Sequence, residues 1–486
     1  MSRIETKTPR AALVRKAEQP SRLGERWRGA MTAAGLVLTV AGCTGTPMAV
    51  TEMSAALSAE LAAASADAAE PVVLADGFAS AVVRAVETNA GYRAALAQER
   101  EALSRVGVVE SVRKPQLSAD ANLGGLREFD SVGDSITGIS GGISLSQLIY
   151  DGGESTAAIN RATAEALGAQ AERLSQANAL ALEVARAWVD VWQFEERVRL
   201  LHTRTSEMYT MVGQMERMAA NGFVDRAALD SARRQIVAVQ LEETRLQADL
   251  ADAQVRFRRH FRQTPGRVSR PAEIITPAVA RAQANAWQNA PSLEARAASV
   301  IAARHGVEEA EAAFGPRIRL QTGLRTPMDT ADPASGTLGL GFDYSFLDGR
   351  RRVHQLEAAI ARLAAVEDQL REERTTLEAD LAAAMARLSG IERSMPLVAE
   401  QIRLSASEAE TSRAQITTGQ STVRQLVEAS IENYRARDRQ IAMRAERQML
   451  LLTIAARTGE LGRWIGLKTE QPAEQSDALT LASQDQ

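Results

Sequence analysis

From Gly153 to Ala220 the chain runs about 68 residues without a proline, roughly 100 Å of helix at 1.5 Å per residue. A globular core cannot use a helix of that length on its own. Within it, Val184, Ala187, Val191, Phe194, Val198 and Leu201 alternate steps of three and four, and the ladder continues to Met208, Val212 and Met215. A sustained 3.5-residue repeat calls for long helices supercoiled against neighbours. The ladder then recurs as Leu381, Ala384, Leu388, Ile391, Met395 and Val398, shifted by 197 residues.

The same offset relates the segments on either side. SLSQLIYDGGES (144–155) is matched by DYSFLDGRRR (343–352), with Asp151-Gly152 aligned to Asp348-Gly349. MERMAANGFVDRAALDSARRQ (215–235) is matched by SRAQITTGQSTVRQLVEASIE (412–432), which pairs Gly222 with Gly419 and Leu229 with Leu426. Pro115 and Pro316 stand 201 apart, so the hairpin region of the second copy is about four residues shorter. The chain is therefore written twice. Each glycine offers an open or left-handed turn between two helices. The second helix of copy one is expected from about Asp225 to Arg262. Those of copy two are expected from about Arg350 to Thr418 and from Thr422 to Ala456. Pro396 falls inside the longer of these and is expected to remove a backbone hydrogen bond and bend or interrupt the rod.

Ahead of each long helix lies a candidate hairpin, residues 115–150 and 316–347. Leu117, Ala119, Ala121 and Leu123 alternate with Ser118, Asp120 and Asn122, and the returning strand sets Ile139, Ile143 and Leu145 against Ser140, Gly142, Ser144 and Ser146. In copy two Leu338, Leu340, Phe342, Tyr344 and Phe346 alternate with Thr337, Gly339, Gly341, Asp343 and Ser345. Period-two patterning gives one apolar and one polar face. Strands of about nine to eleven residues are long enough to cross a bilayer in a barrel. A soluble sheet with one buried face fits the same alternation. Four strands cannot close a barrel, and an open edge in lipid leaves backbone groups unpaired, so several copies would have to share one. Three copies would supply twelve strands.

The first 42 residues read as an export signal. Arg22, Arg26 and Arg28 precede the apolar run from Met31 to Ala41, which is too short to span a bilayer. Val40-Ala41-Gly42-Cys43 resembles the lipobox of bacterial lipoproteins, which would make Cys43 a lipid-attachment site; an ordinary signal cleaved nearby is the alternative. Beyond this leader 49 Lys and Arg face 58 Asp and Glu, leaving no basic surplus for nucleic acid. Cys43 is the one cysteine, so an internal disulfide and a Cys-based metal site are excluded. His202, His260, His305 and His354 stand apart and form no HExxH pair. No catalytic, metal or cofactor constellation emerges, and the expectation is a non-enzyme. Arg350-Arg351-Arg352 reads as a basic edge following a strand.

Both strand-to-helix turns (SLSQLIYDGG, DYSFLDGR), both glycine turns (NGFVDRAAL, TGQSTVRQL) and the helices ahead of each hairpin resemble the TolC family of outer-membrane channel proteins, over roughly residues 72–466. That resemblance implies a mainly α fold with a β-barrel portion: a homotrimer with a twelve-stranded barrel in outer-membrane lipid, continued by an α-helical barrel through the periplasm. The sequence itself divides into a signal over 1–42, a flexible linker over 43–71 and a flexible tail at the C-terminus, both lacking strong periodicity, with repeat one over 72–262 and repeat two over 286–458; the resemblance adds an equatorial connector over 263–285 and a C-terminal equatorial segment within 459–486. It further implies a periplasmic adaptor docking at Asn221, Gly222, Phe223, Thr418, Gly419 and Gln420, and an inner-membrane pump of ABC or RND type. Glycine turns between helices would be needed regardless of any adaptor.

Some channels of that family place acids six and nine positions after the second glycine, at the periplasmic entrance. Here those positions hold Gln425 and Glu428, so only one acid remains. Asp151, Gly152, Asp348 and Gly349 would turn the chain at the membrane edge. The implied function is a passive exit duct. The Tyr-Asp-Gly-Gly turn favours type I secreted protein as cargo, while the lipobox favours drugs or other small molecules; secreted protein is the first reading and small-molecule efflux the alternative. A periplasmic coiled-coil adaptor is the rival of a different class, although it leaves the hairpins unexplained.

Overall fold

The computed structural model describes residues 50–66, 71–74, 77–127, 135–221, 226–274, 286–326, 333–416 and 422–467. The chain divides into two units, one ending at Ala68 and the other beginning at Ala69. In the first unit, Val50–Ala66 forms a single exposed helix, α1. Weak periodicity had pointed to a flexible linker there. The Ala-rich composition favours helix without any amphipathic pattern.

The second unit is built on α4 (Glu154–Ala220), a 67-residue helix. Its partner α5 (Arg226–Phe261) returns along it. The second copy repeats the pair as α7 (Arg351–Ile416) and α8 (Val423–Arg457). All eight ends of these four helices fall within two residues of the expected ones. The heptad ladder is buried in both copies: Val184, Ala187, Val191, Leu201, Met208, Val212 and Met215 in α4, and Leu381, Ala384, Leu388, Ile391 and Val398 in α7. Shorter helices α2 (Phe78–Glu87), α3 (Ala90–Glu110) and α6 (Pro291–Ala312) pack along α4.

Pro396 does not interrupt α7, which stays helical throughout its length. One missing N–H costs a single rung, and side chains on both sides clamp the rod to α8. Arg447 reaches Glu392 before the proline, while Gln401 bonds Glu432 and Asn433 donates to the Ile402 carbonyl (3.0 Å) after it.

The four strands form one antiparallel sheet in the order β1 (Gln116–Arg127), β2 (Ser135–Tyr150), β3 (Arg317–Thr326), β4 (Ser335–Asp343). The two expected hairpins are thus joined, because β2 of the first copy pairs with β3 of the second from Gly141↔Thr326 to Tyr150↔Ile318. β4 ends at Asp343, so Tyr344 and Phe346 lie past the strand rather than in it. The partner strand explains the stop: β3 begins at Arg317, opposite Asp343, and Pro316 before it has no N–H to pair. Past the strand, the Arg352 guanidinium donates to the Ser345 carbonyl and lies over the Tyr344 ring, which itself packs edge-on against Phe346 at 4.8 Å.

The largest apolar core sits at mid-height on α4, away from the sheet. Phe78, Trp188, Phe257 and Phe261 gather there with Val184, Leu452 and Ile465, the last in the short helix α9 (Glu460–Ile465). Phe257 and Phe261 stack at 4.2 Å, and Trp188 meets Phe78 edge-on at 5.7 Å. Residues 263–274 close over this core: Val268 and Ile274 are buried, and the Ser269 carbonyl accepts from Trp188 Nε1 at 2.9 Å.

Candidate functional site

The sheet has two chemically opposite faces, fixed by its register. Leu117, Leu123, Ile139, Ile143, Leu324, Leu338, Leu340 and Phe342 fall on one face, through pairs such as Leu123↔Ile139, Ile143↔Leu324 and Leu320↔Leu340. All eight are more than half exposed in the single chain. The other face carries Ser118, Asp120, Asn122, Ser144, Ser146, Arg319, Gln321, Thr337 and Asp343. Moving a Leu-sized side chain from water into an apolar medium is worth about 1.5–3 kcal/mol, so the apolar face is unstable in water and stable against lipid. β1 and β4 are each paired on one side only. A bulge at Ile149 shifts the register between Leu148 and Tyr150 where the strand leaves the sheet.

The two strand-to-helix turns share one geometry. Gly152 and Gly349 have φ of 70° and 64°, and the next residues, Gly153 and Arg350, have 94° and 70°. Two successive left-handed residues explain the glycines; Arg350 adopts the same conformation with a side chain. Asp151 caps α4 by accepting from Gly153 N (3.1 Å) and Ser155 N (2.8 Å). Burial works against its ionisation, but the bonds from Ser155 and Gly153 and the charge of Arg113 outweigh it and hold the carboxyl below its ordinary value. Asp348 takes the equivalent place, accepting from Arg352 N (3.3 Å) and Arg352 Nε (2.7 Å). Arg352 therefore turns inward, over Phe314 at 5.3 Å, and the triple-arginine run is not one exposed basic edge.

Away from the sheet, α4 and α8 are tied by a polar seam. Arg197 makes a fork to Asp438, Nε to Oδ1 at 2.7 Å and Nη2 to Oδ2 at 3.0 Å, with both side chains about one-fifth exposed. Two turns further along α4, buried Arg204 bonds Ser430 Oγ. Desolvation pulls the Arg204 guanidinium below its ordinary pKa, and desolvation pushes the neighbouring Tyr434 hydroxyl up to about 12. These residues escaped sequence reading. Their one signal was the pair of charged residues placed among the apolar rungs of α4.

At the far ends of the long helices, Asn221 closes α4, its exposed side chain donating to the Arg217 carbonyl at 3.0 Å. Gly222, Phe223, Thr418, Gly419 and Gln420 lie outside the described residues, as does Cys43. Thr422 and Gln425 form a capping box at the start of α8, so the Gln425 side chain serves the helix end. Glu428 is exposed and meets Arg424 at 3.2 Å, which offsets its charge. Each histidine faces a single glutamate: His202 with Glu243, His260 with Glu183, His305 with Glu308 and His354 with Glu357. Among the described residues no helix is long and apolar enough to cross a membrane.

The sequence model of a family described as outer membrane efflux protein matches residues 81–260 and again residues 283–460, once on each copy. No curated protein matches the chain. Solved structures do. CusC, described in terms of folding and transmembrane channel formation, aligns with a TM-score of 0.70 at 15% identity, covering 78% of this chain and 92% of its own. The outer membrane protein VceC of Vibrio cholerae aligns at 0.68 and 15%, covering 78% and 96%. The outer membrane channel CmeC of Campylobacter jejuni aligns at 0.68 and 12%, covering 82% and 87%. At these identities the likeness is one of fold: a helical barrel with a β portion.

Proposed function

The chain belongs to the outer membrane efflux protein family, and on that premise we propose that it is the passive exit duct of a tripartite export system. The observation that carries the reading is the sheet: four strands, an apolar face opposite a polar one, and two open edges. Since β1 and β4 run antiparallel, β4 of one copy can continue into β1 of the next, and three copies close twelve strands around a polar bore. The apolar face then meets outer-membrane lipid. The helix pairs carry the bore into the periplasm, over the roughly 100 Å of α4.

Nothing in such a duct supplies energy. Its partners would be a periplasmic adaptor, received at the turns around Asn221, Gly222 and Phe223 and around Thr418, Gly419 and Gln420, and an inner-membrane pump behind it. Opening would move the long helices at that end, which the Arg197–Asp438 seam restrains. Cys43 would carry a lipid as a second attachment; the mass of the mature N-terminus tests this. Glu428 would add three weak negative charges to the entrance.

For cargo, we favour small molecules over the secreted protein that the sequence puts first. The clue for secreted protein was the Tyr-Asp-Gly-Gly turn, and its residues are accounted for by helix capping and left-handed backbone, with the second copy doing the same through Asp348-Gly349-Arg350. The family's description as efflux proteins supports small molecules. Deleting the gene and comparing the secreted proteins with sensitivity to toxic compounds tests this: a new sensitivity with unchanged secretion is expected, and a lost secreted protein with unchanged sensitivity would reverse it. Alkali washing of membranes separates duct from adaptor. The duct stays in the pellet until detergent is added; release by alkali alone would contradict it.

A further inference from the structure

A cavity of about 370 Å³ opens between α3, α4, the start of α6 and α9. That volume falls in the usual range of small-molecule pockets, roughly 300–1,000 Å³. Leu174, Ala177, Pro291 and Leu467 give it an apolar lining. Arg173 also lines it and is only 4% exposed. Its closest charged neighbour is Glu99, 5% exposed, with Arg173 Nε 2.5 Å from Glu99 Oε2. Among the described residues neither Nη group of Arg173 donates a hydrogen bond, which leaves four N–H donors in the pocket wall without an acceptor. A buried guanidinium in that state is costly unless something fills the pocket and accepts from it.

The internal duplication shows that the charges are not needed for packing. α3 crosses α4 in the first copy as α6 crosses α7 in the second. At the offsets that relate the copies, 201 before the hairpin and 197 after it, Glu99 corresponds to Val300 and Arg173 to Leu370. The register agrees: Arg304, one turn beyond Val300, meets Glu367, one turn before Leu370, at 3.3 Å. The second copy thus makes the same crossing with two apolar residues. A buried ion pair is weak support for a fold in any case, since apolar residues of similar size serve as well. What the first copy has in addition is the pocket, because α9 and the start of α6 pack beside this crossing.

We infer that this cavity binds a small organic monocarboxylate, held by the Nη edge of Arg173, with its apolar body against Leu174, Ala177 and Leu467. A guanidinium and a carboxylate match as a two-point fork. The charges favour a single negative charge on the ligand. Arg173 and Arg463 are balanced by Glu99 and by Glu294 at the exposed rim, so a multiply charged phosphate would face two carboxylates as well. Asn178 is already used, accepting from Gly462 N and donating to the Leu174 carbonyl, both at 2.8 Å. The Gly462 bond ties α9 to α4, and a carboxylate seated beside it would strengthen the same junction.

The full chain in mild detergent, titrated with sodium benzoate and with sodium hexanoate against sodium chloride of matched ionic strength, tests it. Calorimetry should show saturable binding of both carboxylates, and both should raise the Tm while chloride does not. Glu99→Val with Arg173→Leu installs the pair that the second copy already uses, so this variant should assemble and bind about tenfold or more weakly. Arg173→Lys keeps the charge but loses the fork, and should weaken binding several-fold. A parent that binds neither probe at about 20 mM overturns the site. So does a double variant that binds as the parent does. Should the double variant not assemble, unchanged affinity in Arg173→Lys overturns the assignment. Inorganic phosphate binding more tightly than either carboxylate would refute the ligand class.

Discussion

Replacing Asp438 with alanine removes the one ion pair that joins α4 to α8 among the described residues. It leaves the Arg197 guanidinium about four-fifths covered and without its fork. Exposed pairs contribute about 0–1 kcal/mol and fully buried pairs lose about 3–5 kcal/mol when one partner goes. At this exposure a loss of about 2 kcal/mol is expected, in line with hydrogen bonds to charged groups. A 2 kcal/mol change is roughly a 30-fold shift in the balance between closed and parted helices in each chain. In planar bilayers Asp438→Ala should therefore raise the time spent in high-conductance states by at least an order of magnitude. The exchange Arg197→Asp with Asp438→Arg should restore most of the closed behaviour, since the fork can form in reverse. High salt should weaken closure in the parent and do little further in the variant. If Asp438→Ala assembles normally and conducts like the parent, the seam is structural and the gating argument is wrong.

Other expectations concern single sites. Asp151→Ala should lower stability by about 1–2 kcal/mol through the lost cap, seen as a lower Tm in detergent. Because the Asp151 pKa is depressed, its contribution is present above the unfolded value of 3.8 and fades as pH falls through the folded one, so the variant and parent should converge in acid. Arg350→Gly should raise stability by about 1 kcal/mol, relieving a left-handed arginine at the position where the first copy has Gly153; a lower Tm would contradict that. Burial lowers the His260 pKa below 6.5, so its neutral form is favoured in the fold, and stability is lost as pH drops below 6.5. His260→Leu should flatten that slope between pH 5 and 7 in thermal melts. Leu340→Arg should cost about 2–4 kcal/mol when the protein is unfolded from lipid vesicles, whereas Gln321→Arg, on the polar face, should cost less than 1.

The long-range order was legible because it is written in periods. The 3.5-residue ladder marked the buried side of α4 and α7, and the alternation from Leu117 to Leu123 marked a two-faced strand. The offset of 197 tied the pieces together. What stayed hidden depends on which residues meet in space. β2 with β3 joins the two copies, and a hairpin pattern contains no information about that pairing. Tyr344 and Phe346 continue the alternation past Asp343, yet the strand ends because its partner begins at Arg317, opposite Asp343. Pro396 looked like a break because the bonds from Gln401, Asn433 and Arg447 that hold the rod come from far along the chain. Arg197 and Asp438 are 241 residues apart in sequence, so the seam they form has no local signature. The Asp-Gly turns were legible as turns, while their role as paired left-handed residues with an aspartate cap needed the backbone.

In the proposed duct three copies are required to close the sheet. Native mass spectrometry of the complex, extracted from outer membranes in mild detergent, measures the copy number directly. Three times the mature-chain mass is the predicted result. A stable species of one, two or four copies would contradict it, because four strands per chain would then give a count other than twelve.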